Sequence, residues 1–87
     1  MAILNVTYAG RSADAKHLVD DGVDDADIRR IAVELIRSGG LTGMAQLDVA
    51  RDVFRHFVVD RHRDPDGTLR IYLRPKVPFG SAGASAR

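Results

Sequence analysis

The segment "RHFVVDRHRDPDGTLRIYLRP", residues 55–75, gathers most of the side chains in this chain that could do chemistry at a surface. Arg55, Arg61, Arg63, Arg70, Arg74 and Lys76 crowd into it and its flank. Guanidinium groups bind carboxylates or phosphates through forked N–H donors. Tyr72 stands between Arg70 and Arg74. A tyrosine so placed can anchor a protein partner or stack on a nucleobase. Asp60, Asp64 and Asp66 interrupt the basic run, and one aromatic is a thin stacking platform. A protein partner is therefore expected ahead of nucleic acid, through Arg61, Arg63, Arg70, Tyr72 and Arg74. The plain alternative is that arginine and tyrosine cover the wet side of a sheet, where cross-strand pairs contribute roughly 0.2–1 kcal/mol each.

Other chemistries find little support. His56 and His62 are six residues apart, roughly 20 Å along a regular strand, too far to share a metal ion. His62 could pair locally with Asp60, but it reads first as a solvated strand residue. The acidic run from Asp20 to Asp27 does not match the ligand register of an EF-hand and reads as helix capping and loop solvation. Serines 12, 38, 81 and 85 lie outside any G-x-S-x-G setting, and no P-loop or dinucleotide fingerprint occurs. "SGGLTG" follows a helix instead of opening one, the wrong side for cradling phosphate. No nucleophile, base and oxyanion set converges, so no enzyme, cofactor or metal is expected.

The 87 residues suffice for one small domain, which buries roughly 60% of its unfolded surface. Cysteine is absent, removing disulfides and thiolate chemistry. "MAILNVTYAG" lacks the basic and apolar regions of a signal peptide, and no apolar run approaches the ~20 residues of a membrane span. A cytoplasmic protein is expected. Residues 1–50 carry five basic and eight acidic side chains; residues 51–87 carry eight and four. Eleven of the thirteen basic residues are arginine, a bias common in proteins from GC-rich bacterial genomes.

These side chains need elements to position them. "ILNVTY" alternates as a strand, Leu4, Val6 and Tyr8 sharing one face. "AGRSADA" reads as a turn through Gly10, Ser12 and Asp14, and "KHLVD" as a returning strand. Asp24 or Asp25 can cap a helix, with Asp27 in its first turn. Ile28, Ile31, Ala32, Leu35 and Ile36 form its apolar stripe. Arg29, Arg30, Val33, Glu34 and Arg37 fall on the other side, Arg30 and Glu34 spaced for an ion pair. Gly39 is free to end the helix in a left-handed conformation. Residues 41–53 read equally as a short helix or a packed loop. The chain turns extended from Phe54, and "DPDG" makes the turn into "TLRIYLR". There Leu69, Ile71 and Leu73 point to the core, and Thr68, Arg70, Tyr72 and Arg74 to water. Pro75 and Pro78 limit further pairing or put this strand at an edge.

The expected fold is a small two-layer α+β domain of order ββαββ, one amphipathic helix on a mixed sheet, over residues 1–79, with residues 80–87 a disordered tail. The hairpin "ILNVTYAGRSADAKHLV", the helix "DADIRRIAVELIRSGG" and the strand "TLRIYLRP" in this order resemble the ubiquitin-like β-grasp. Conjugated members of that family end in a di-glycine; this chain ends "GASAR", and its Gly39–Gly40 pair closes the helix, so conjugation is not expected. The expected function is a non-catalytic adaptor or small subunit of a bacterial assembly, binding through a sheet face or edge. The alternative is a weak nucleic-acid-binding or regulatory protein using the basic C-terminal hairpin. Self-association is left open.

Overall fold

Apolar side chains at every second residue set the first strand, β1 (Ala2–Tyr8), in which Ala2, Leu4 and Val6 are buried. The computed structural model describes residues 1–76. Strand β2 (Arg11–Asp14) returns antiparallel to β1, helix α1 (Asp25–Ser38) follows, and β3 (Val58–Arg63) and β4 (Leu69–Arg74) close the sheet. The strand order is β2-β1-β4-β3. β1 and β4 run parallel side by side at the centre, each flanked by an antiparallel partner. One helix against a mixed four-stranded sheet is the expected α+β class and is compatible with a β-grasp layout. The tail expected over residues 80–87, and Pro78, lie outside the described residues.

The core lies between the sheet and α1. Ala2, Leu4 and Val6 of β1, with Leu69, Ile71 and Leu73 of β4, present one face. Ile28, Ala32 and Ile36 of α1 meet it, at the i, i+4, i+8 spacing of one helix stripe. Asp24 caps the helix, its Oδ1 accepting from the Asp27 amide at 2.8 Å. Gly39, at φ 77°, ends it. Only a residue without Cβ adopts that conformation at little cost. Val33 is buried, against expectation. The long excursion between α1 and β3 packs on that flank of the helix and widens the stripe: Arg37 donates to the Val49 carbonyl at 3.0 and 2.7 Å, and Arg29 to that of Phe57 at 3.3 and 2.9 Å. Arg30 bonds Asp27, one turn back, instead of Glu34.

The first hairpin is tighter than expected. Tyr8 pairs with Arg11, leaving Ala9 and Gly10 as a two-residue turn, both at positive φ, 53° and 79°. That is the pattern of a type I′ turn, whose twist matches that of the strands. The return strand therefore starts at once, within the stretch expected to be turn. "KHLVD" contributes only an isolated bridge, Ala2 with Val19, and Leu18 is exposed. Residues 41–53 form a packed loop and not a helix. Leu41, Val49 and Phe54 drop from the excursion into the core, and the Leu47 amide takes the Ile36 carbonyl at 3.0 Å, satisfying a helix-end acceptor. Turns occupy residues 51–56, so the extended chain begins at Val58 and not at Phe54. "DPDG" turns as expected, the Gly67 amide bonding the Asp64 carbonyl at 2.8 Å with Gly67 at φ 90°. β4 is central, so of the two readings of its prolines the edge position does not hold, while the pairing does stop before Pro75. Pro75 lies just beyond Arg74, where the ladder has ended and no donor is needed. No helix among the described residues is long and apolar enough to cross a membrane.

Candidate functional site

Strand register decides which candidate residues meet, because paired residues share a face and successive residues alternate. Leu69, Ile71 and Leu73 are buried, so Arg70, Tyr72 and Arg74 stand on the opposite, open face. Arg70 lies between Ile3 of β1 and His62 of β3. Tyr72 lies between Asn5 and Asp60, and Arg74 opposite Val58. β2 adds Asp14 beside Asn5 and Ser12 beside Thr7. No helix covers this face among the described residues, and Arg70 and Arg74 keep 36% and 54% of their side chains exposed.

Arg61 and Arg63 do not join them. Arg61 pairs with Ile71 and Arg63 with Leu69, which puts both on the helix side of the sheet. Arg61 donates to the Asp25 carboxylate at 2.6 Å and the Val23 carbonyl at 2.8 Å. Arg63 donates to the Gly67 carbonyl at 2.8 Å. Of the five candidates, three form one surface; of the other two, Arg61 ties the hairpin to the start of α1 and Arg63 braces the hairpin's own turn. Arg61 and Arg63 share one parity of β3, but without the β3–β4 register the sequence could not say which parity faces out.

The open face is cross-linked by its own side chains. Arg70 Nε donates to Asp64 Oδ2 at 2.9 Å, and Arg74 Nε to Asp60 Oδ2 at 3.0 Å. The hydrogen bond to Asp64, then its charge, raise the pKa of Arg70 above its ordinary value. Arg74 also lies over the Tyr72 ring, 5.7 Å from its centroid, a cation–π arrangement. Asn5 Nδ2 bonds Asp14 Oδ1 at 2.9 Å, and the Thr7 and Ser12 hydroxyls meet at 2.6 Å. His62 is an exposed residue of β3, as expected; its nearest carboxylate is Asp64, Nε2 to Oδ1 3.5 Å, and not Asp60. Both arginines of the face thus have a carboxylate from β3 or its turn. These carboxylates offset the charge of the row, which lowers its attraction for phosphate more than for a polar and apolar protein surface.

Ile3, Asn5 and Val58 belong to this face and were missed, since only strand pairing brings them beside Tyr72 and Arg74. The sheet also ends on β3, whose outer side has no strand neighbour among the described residues. Val58 there is 37% exposed. Such an edge offers backbone N–H and C=O groups to an incoming strand. His17, His56 and His62 are all exposed, and no group of three or more His, Cys, Asp or Glu side chains among the described residues is placed to hold a metal ion. No protein-family model matches the chain, and neither a curated protein nor a solved structure matches it.

Proposed function

We propose that this chain is a non-catalytic interaction module, an adaptor or small subunit in a bacterial cytoplasm, that engages a protein partner on the open sheet face and the adjoining edge of β3. One observation carries this reading: Arg70, Tyr72 and Arg74 project as a single row from a central strand, beside an unpaired edge. Tyrosine and arginine are enriched among residues that dominate binding energy, and a rigid strand presents them at low entropic cost. Asp60 and Asp64 neutralise the row and lower its attraction for nucleic acid. The β-grasp resemblance agrees with a module that works by its surface.

Affinity capture from the native cell, with the tagged chain and its Arg70→Gln/Arg74→Gln/Tyr72→Thr variant, tests the proposal. A discrete protein held by the parent and lost from the folded variant, with shallow salt dependence, is the expected result. Retention by the variant would remove the face from the function. Binding to random DNA that falls linearly with log salt would replace the proposal with the nucleic-acid alternative.

A further inference from the structure

On the far side of the molecule, a cleft of about 430 Å³ opens between α1 and the turn at residues 51–55. Arg29, Arg30, Arg37, Arg51 and Arg55 line it, against the carboxylates of Glu34 and Asp52. Ala26 and Val33 contribute apolar lining, with the buried Phe54 beneath them. We propose that this cleft is a docking site for an acidic peptide segment carrying an apolar anchor residue.

Three features point to that ligand. The first is charge: arginine outnumbers carboxylate around the opening even with Arg30 held by Asp27, in a chain whose overall charge is only +1. Arg51 forms no ion pair among the described residues, and Arg55 reaches Asp52 only at 3.9 Å. The second is preorganisation. Arg29 and Arg37 are two helix turns apart, and each directs Nε and Nη2 at one backbone carbonyl, of Phe57 and Val49. A guanidinium has five N–H donors, so each keeps three for a carboxylate while its side chain is already fixed. The third is the mixed lining. A volume of this size is that of a ligand pocket, and an apolar floor ringed by cations suits an apolar side chain flanked by Asp or Glu.

Nucleic acid fits less well. Phe54 is only 1% exposed, and its ring meets Tyr8 and Phe57 edge-on, so it offers no open face for a base to stack on. The site is separate from the open sheet face, and either can fail alone.

Panning the full-length chain against a displayed library of random peptides tests the site, followed by anisotropy titration of a labelled enriched peptide. Enriched sequences should place Asp or Glu around an apolar residue. Their affinity should fall at least about tenfold, or 1.4 kcal/mol, in Arg51→Glu/Arg55→Glu. It should also fall when the acids become Asn and Gln, and should be unchanged in Arg70→Gln/Arg74→Gln. Arg51 and Arg55 are exposed turn residues, and unchanged circular dichroism and thermal melting would show that their variant folds. Failure to enrich acidic peptides, binding that ignores the Arg51/Arg55 reversal, or equal and equally arginine-dependent binding of inorganic phosphate or random DNA would each overturn the proposal.

Discussion

Arg61 joins the edge strand β3 to the start of α1, its guanidinium 2.6 Å from the Asp25 carboxylate and 2.8 Å from the Val23 carbonyl. The ion pair is partly exposed, so its Coulombic contribution is screened. Arg61→Ala should cost about 0.5–1.5 kcal/mol in a urea melt, as expected for one exposed pair and one hydrogen bond. Amide exchange should rise most in β3. Uniform exchange across the sheet would show that the clasp does not hold that strand.

Reversing the charge of the open-face arginines should damage the fold as well as any binding. Arg70→Glu/Arg74→Glu would set new carboxylates against Asp64 and Asp60 in place of the present bonds. A lower thermal midpoint than the parent is expected, from two broken pairs with added repulsion. The Gln pair should lose less, and adding salt should narrow the difference between the two variants. Equal stability of the two variants at low salt would show that the carboxylates do not constrain the row.

Ala9 adopts φ 53°, a left-handed conformation that crowds its Cβ against the backbone. Asparagine tolerates it, and Asn-Gly is a preferred type I′ pair. Ala9→Asn should therefore stabilise the domain by about 0.5–1 kcal/mol. A lower thermal midpoint would argue against this turn.

Asp66 has a carboxyl held below its ordinary pKa, first by the hydrogen bond from the Thr68 amide at 2.9 Å. The folded state thus releases the Asp66 proton more readily than the unfolded chain. Its contribution is present above the unfolded carboxyl value of about 4 and is lost as pH falls through the lower folded value. Urea midpoints should decline over that acid interval and decline less in Asp66→Asn, which keeps an acceptor but cannot titrate. A carbon-detected titration placing Asp66 at or above the ordinary aspartate value would contradict the assignment.

Periodicity made much of this architecture legible before any coordinates. The spacing of Ile28, Ala32 and Ile36 and the alternation of Leu69, Ile71 and Leu73 each allow one buried face, and those faces are buried. Asp24 and Gly39 marked the helix ends because caps are local chemistry. What escaped was non-local or rare. Ala9 at positive φ moved the first turn, and nothing in an alanine announces that conformation. Val33 went unnoticed because its cover comes from a loop without periodicity. Arg61 and Arg63 were grouped with Arg70 and Arg74 because they are near in sequence; register puts them on the other face. The arginine cleft joins residues 26–37 to 51–55, and only folding brings them together.

The parallel pairing of β1 with β4 has a consequence for how the chain comes into being. Ala2 emerges from a ribosome before Leu69 and must wait for it before its neighbour exists. Until then the β1–β2 hairpin carries Leu4 and Val6 without the strand that completes their layer, and two strands alone are marginal in water. Synthesis of β4 is thus the event that completes this layer, and a nascent chain halted before it would leave a greasy ribbon open to misassociation.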